Sequence, residues 1–221
     1  SGLIAGGLTP GPGTIRVARR QLEIAMMVMV RPRGGDFLYD ALEFEVMQQD
    51  VRAAKDAGAD GVVFGLLNAD GAIDEERTAR LTELARPLQV TFHRAFDMTR
   101  DPFEALETLV ALGVDRVLTS GQETSVAAGL ALLADLVARA TERIVVMPGC
   151  GIRTHNVRQV LAMTGAREIH FTAEATLPSG MQFRNERCRM GGSQIPGEFE
   201  RLVTDAERVQ RFVTAARGVN R

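Results

Sequence analysis

The chain has no tryptophan, one tyrosine, two cysteines and three histidines among its 221 residues, and aromatic residues make up only 5% of it. Cys150 and Cys188 are too few for the disulfide framework of a small secreted domain, and they suit a reducing compartment. A net charge of −2 at pH 7 lacks the basic excess that nucleic-acid partners require. No apolar run approaches the ~20 residues of a membrane span, and no signal-like segment opens the chain. Cys-x-x-Cys and His-x-x-His spacings, which announce metal sites, do not occur. With 45% apolar and 24% charged residues, the expectation is a cytoplasmic globular protein with neither nucleic-acid nor membrane partners.

What the chain does have is a rhythm of buried strands. Six apolar, β-rich runs end in Gly, Pro or polar residues: Ala25–Val30, Gly61–Leu66, Gln89–Phe92, Arg116–Thr119, Ile144–Met147 and Glu168–Phe171. Amphipathic stripes lie between them, such as Phe103, Leu106, Leu109 and Val110, or Val126, Leu130, Leu133 and Val137. Asp101-Pro102 supplies a capping carboxylate and a first-turn proline. Gly58, Gly113 and Gly165 each close a helix before a short linker and a strand. Such alternation requires a parallel sheet. No strand ends in G-x-G-x-x-G, whereas nearly all end in polar residues. This favours the mouth of a (β/α)₈ TIM-type barrel over an open dinucleotide-binding sheet.

A barrel needs eight strands and about 250 residues. Six runs in a chain opening on Ser1-Gly2 therefore predict one N-terminally incomplete domain over residues 1–221, its first one to two strands lying upstream. Residues 172–200 show little periodicity and are expected to form a long irregular loop over the barrel mouth.

The strand ends carry the candidate chemistry. Arg31, Arg33 and Asp36 follow the first run, and paired guanidinium hydrogen bonds suit a carboxylate or phosphate. An Arg–Asp pair that merely pins a loop is the competing reading. His93, Arg94 and Asp97 follow the third run. They suit proton transfer with His93 as general acid/base, though a metal-ligating or structurally satisfied imidazole fits the pattern as well. Thr119, Ser120 and Gly149 lie in short turns resembling the phosphate cups of late barrel strands. Cys150 is either a reactive or metal-binding thiolate or a small residue that fits. His170 ends the last run. Met26, Met27 and Met29 lie in an apolar run and read as core.

Taken in order, Gly6-Gly-Leu-Thr-Pro10, Arg31-Pro-Arg-Gly-Gly-Asp-Phe37, Gly58-Ala-Asp-Gly-Val-Val-Phe-Gly65, Thr91-Phe-His-Arg-Ala-Phe-Asp97, Arg116-Val-Leu-Thr-Ser-Gly121 and Ser179-Gly-Met-Gln-Phe-Arg-Asn185 resemble the CutC family, named for copper homeostasis. The resemblance implies a (β/α)₈-type barrel, a cytoplasmic location, a homo-oligomer (dimer or tetramer), and a role in copper tolerance or Cu(I) binding. The cysteines most often proposed for copper in that family lie on the two upstream strands. Within this chain the metal ligands would be Cys150 and His170. Cys150 stands where the family commonly has glycine, and Glu174 where many members have arginine. A second expectation rests on the residues alone: a barrel enzyme acting on a small anionic molecule bearing phosphate or carboxylate. Arg31 and Arg94 would clamp the anion, and Asp97 would orient His93.

Overall fold

In the computed structural model, which describes residues 6–188 and 197–217, helices and strands alternate through most of the chain. The order is α1 (Pro12–Gln21), β1 (Met27–Met29), α2 (Ala41–Asp56), β2 (Gly61–Phe64), α3 (Glu75–Ala85), β3 (Gln89–Phe92), α4 (Pro102–Ala111), β4 (Arg116–Thr119), α5 (Leu130–Ala140), β5 (Val145–Pro148) and α6 (Val157–Thr164). A short 3₁₀ helix, Arg94–Met98, follows β3. Local chemistry sets the boundaries. At α2 the Asp40 side chain accepts from the Glu43 N–H, and the Glu43 side chain accepts from the Asp40 N–H, so two orphan donors are satisfied reciprocally. At α4 Asp101 accepts from the N–H groups of Phe103 and Glu104, with Pro102 in the first turn. Gly58, Gly113 and Gly165 have φ of +79°, +70° and +68°, the left-handed geometry expected of them at helix ends.

β1 to β5 form one parallel sheet in sequential order. Doubly wound sheets reverse their strand order partway, whereas TIM-type barrels keep it. The register then separates two faces, because residues paired across parallel strands point to the same side. Val28, Val62, Phe64, Val90, Phe92, Val117 and Val146 are all buried on the helix-covered side. Met27, Met29, Val63, Arg116, Val145 and Met147 alternate with them and are only half-buried, which marks the inner side of the sheet. At the open edge of β1 the Thr9 N–H donates to the Arg31 carbonyl at 3.0 Å. None of the helices among the described residues is long and apolar enough to cross a membrane.

Two expectations need correction. The sixth run, Glu168–Phe171, is not a regular strand. It still lies beside β5, since the His170 N–H donates to the Pro148 carbonyl at 2.8 Å. Arg116 holds its start through Nε and Nη2 bonds to Glu168, the latter 3.0 Å. Nor is 172–200 irregular throughout: β6 (Glu174–Pro178) pairs antiparallel with β7 (Glu200–Thr204), and α7 (Ala206–Arg217) follows. Residues 189–196 of the expected loop lie outside the described residues. A second core, containing Val126, Leu133, Ile152, Val157, Val160 and Phe212, anchors α7.

Replacing the α2 cap, Asp40→Ala, is expected to lower stability by about 1 kcal/mol. A shift of the urea midpoint with an unchanged slope checks it, and an unshifted midpoint would show that this cap is dispensable.

Candidate functional site

Extending the register Met29–Val63–Thr91 by two residues brings Arg31, Gly65 and His93 side by side at the C-terminal ends of β1, β2 and β3. Gly65 is what admits the imidazole. A Cβ on residue 65 would lie 2.5 Å from His93 Nδ1 and 2.8 Å from Ala95 Cβ. Phe37 closes the group: its ring centre is 5.0 Å from that of His93 and 5.0 Å from the Arg31 guanidinium carbon. Arg31 is only 6% exposed. It donates from Nη2 to the Gly35 carbonyl at 2.9 Å and from Nη1 to the Gly7 carbonyl at 3.4 Å. Those two bonds orient the guanidinium.

His93 is 4% exposed. Its Nδ1 accepts the Ala95 N–H at 3.1 Å, which places the proton of a neutral ring on Nε2. Nε2 is buried and has no hydrogen-bond partner among the described residues. Burial, and then the charge of Arg31, push the His93 pKa from 6.5 down to about 3. At neutral pH the geometry therefore offers an uncharged N–H donor rather than the titrating acid/base expected from sequence.

Asp97 does not serve as the orienting partner of His93. Its buried carboxylate accepts from Thr119 Oγ1 at 2.5 Å, the Ser120 N–H and Oγ at 3.0 Å, and the Gln122 N–H at 3.1 Å. Arg94 Nε adds a bond at 2.7 Å, and Arg94 Nη2 donates to Ser120 Oγ at 2.8 Å. Thr119 and Ser120, expected to bind substrate, thus fasten the turn after β4 to the 3₁₀ helix after β3. Of this cluster, Arg94 keeps a substantial exposed surface, 41% of its side chain.

Arg33 and Asp36 follow the loop-pinning reading. Arg33 bonds Asp36 Oδ1 at 3.0 Å and Glu43 Oε1 at 2.5 Å, and it donates to the Leu38 carbonyl at 2.7 Å. The Glu43 bond holds the Arg33 pKa above its ordinary value, and Arg33 holds the Asp36 carboxyl below its own. The guanidinium lies over the ring of Tyr39, 5.0 Å from its centre. Tyr39 is itself buried.

At the late turn, Gly149 provides room. A Cβ there would lie 2.5 Å from Leu118 Cδ1 and 3.2 Å from His170 Cβ. Cys150 has φ +84°, a region that favours glycine. Its thiol donates to the Thr124 carbonyl at 3.3 Å. His170 is exposed. Among the described residues no three of His, Cys, Asp and Glu converge in a way that could hold a metal ion. Sequence reasoning missed Phe37 and Gly65. The available signals were an aromatic ring inside a polar loop and a glycine closing an apolar strand.

Fold and site together define a TIM-type α/β protein with a polar, partly pre-formed mouth at its strand ends. The CutC family profile matches residues 1–175, and the chain belongs to the CutC family. A family protein CutC of Mesorhizobium japonicum is 51% identical over 97% of this chain and 83% of its own. The mouse copper homeostasis protein cutC homolog is 50% identical over 99% of this chain and 80% of its own, and the human homolog 49% over the same shares. The crystal structure of a CutC protein from Streptococcus agalactiae matches with a TM-score of 0.75 and 33% identity, over 77% of this chain and 84% of that one. N-(5'-phosphoribosyl)anthranilate isomerase from Pyrococcus furiosus shares the fold alone, with a TM-score of 0.54 and 14% identity over 95% of this chain and 82% of that one.

Gly65→Ala is expected to displace the His93 ring and cost about 1–3 kcal/mol. Urea unfolding measures it, and a loss below about 0.5 kcal/mol would mean that the slot relaxes freely. His93 also makes stability pH-dependent. Because its folded value lies below 6.5, the unfolded chain takes up the proton first as pH falls. Stability is then lost from about 6.5 downward toward about 3, at up to about 1.4 kcal/mol per pH unit. Between about pH 7 and pH 5 a His93→Asn variant should lose less stability than the wild type. Equal losses would show that the ring is not held neutral.

Proposed function

We propose that this protein acts in copper homeostasis, in the cytoplasm and as a homo-oligomer, through a barrel mouth that binds a small anionic or carbonyl-bearing molecule. The copper role draws its support from the relatives named for it, at 49–50% identity along 99% of the chain. The observation that carries the chemistry is the buried His93 Nε2, without a hydrogen-bond partner among the described residues, beside the buried Arg31 guanidinium. A neutral N–H donor next to a fixed positive charge suits a carboxylate, phosphate or polarised carbonyl oxygen.

The donor set does not fit a resident copper ion. Cu(I) prefers soft sulfur, and the Cys150 thiol is engaged with a carbonyl, with no three-donor cluster around it among the described residues. Arg31 and His93 hold the molecule in this reading, and Asp97 and Arg94 keep the adjoining turns in place. The copper effect then follows from what the mouth binds or converts.

Complementation tests this in a bacterial host lacking its own relative and grown in elevated copper. The wild type and Cys150→Ser are expected to restore growth equally, and His93→Asn, expressed at a matched soluble level, to restore little. Loss of rescue by Cys150→Ser together with full rescue by His93→Asn would overturn the proposal in favour of direct copper ligation.

A further inference from the structure

A second feature lies away from Arg31 and His93. A cleft of about 520 Å³ opens between the turn after β5, the run ending at Phe171, and α7, and Arg153, Phe171, Glu174, Arg208, Arg211 and Phe212 line it. One wall is aromatic: the Phe171 and Phe212 rings stack with centres 3.6 Å apart and planes within 8°. Phe212 belongs to the second core, so this wall is anchored.

The cleft gathers three arginines into one lining. Arg94, Arg100, Arg116 and Arg143 each pair with a carboxylate. Arg153, Arg208 and Arg211 line the cleft together, and among the described residues none of the three has a carboxylate partner. Arg153 Nη1 donates to the Ile152 carbonyl at 3.2 Å, and Arg208 Nη1 donates to the Glu174 carbonyl. These bonds hold two guanidinium groups at the rim and leave their charges uncompensated. Against three positive groups stands the single carboxylate of Glu174. Guanidinium forks match phosphate oxygens in geometry as well as charge. The turn after β5 and the run at 168–171 are also the last two segments along the inner sheet, and barrels build phosphate sites from the loops that follow their last strands.

We propose that this cleft binds the phosphate group of a small organic phosphate ester, held by Arg153, Arg208 and Arg211, with the planar or apolar body of the ester against Phe171 and Phe212. Neither the copper reading nor the chemistry at His93 is needed for it. Glu174 sets an upper bound on affinity by repelling the anion.

Calorimetric titration of the full chain at fixed ionic strength tests the site with phenyl phosphate, inorganic phosphate and phenol. Phenyl phosphate is expected to saturate one site at least about tenfold more tightly than inorganic phosphate, with phenol silent. Arg208→Gln with Arg211→Gln should weaken phenyl phosphate by about tenfold or more with at most a small fall in melting temperature, because both side chains are exposed and the bond lost is the one from Arg208 to the Glu174 carbonyl. Glu174→Gln should tighten it. His93→Asn should leave this titration unchanged, which separates failure here from failure at the mouth. Binding that survives the double substitution, or no saturation up to ~10 mM phenyl phosphate, would overturn the site. Equal affinity for inorganic phosphate and phenyl phosphate would overturn the assignment of an ester.

Discussion

His93 occupies the space that a side chain on residue 65 would fill, and much of the mouth depends on that exchange of volume. The parallel register delivers Arg31, Gly65 and His93 to neighbouring strand ends, and the bare glycine between them lets the imidazole pack, tilted, against Phe37. Burial follows, and burial beside a guanidinium makes an imidazolium untenable. The result is one permanent positive charge and one uncharged donor, a combination that changes little across physiological pH. A protein that used His93 to shuttle protons would need the opposite environment, with solvent access or a carboxylate at Nδ1.

Rigidity at the adjoining strand end comes from Asp97. Five donors from the 3₁₀ helix and the turn after β4 converge on one carboxylate, so these two loops behave as one unit. Sites held by such bonded turns keep their geometry better than free loops do. Residues with hydroxyl and guanidinium groups look like ligand-binding candidates in any linear reading. Here most of their capacity goes to the scaffold, and Arg94 alone among them keeps a large exposed surface.

The alternation of apolar runs and amphipathic stripes was legible because burial on the helix side demands it, and five of the six runs became strands. Glu168–Phe171 misled because Ile169 and Phe171 pack on the second core, while the backbone gives β5 the ladder bond from His170 to Pro148. The β6–β7 pair was hidden for the converse reason: its residues are largely exposed, so no buried alternation marks them. Arg31 and His93 were visible as polar residues terminating buried strands. That Asp97 serves Thr119, Ser120 and Gln122 rather than His93 is a contact across more than twenty residues, which local pattern does not encode. The cleft between β5 and α7 depends on the same kind of long-range closure.

Tyr39 gives the molecule an unplanned optical property. With no tryptophan and a single tyrosine in the chain, the emission excited beyond the phenylalanine absorption band arises from one ring, and that ring is packed at the mouth beneath Arg33. Burial also holds its phenol above the ordinary pKa, so the emitting species stays the neutral one well into alkaline solution. Tyrosine fluorescence in this protein is therefore a local spectroscopic record of the loop between β1 and α2.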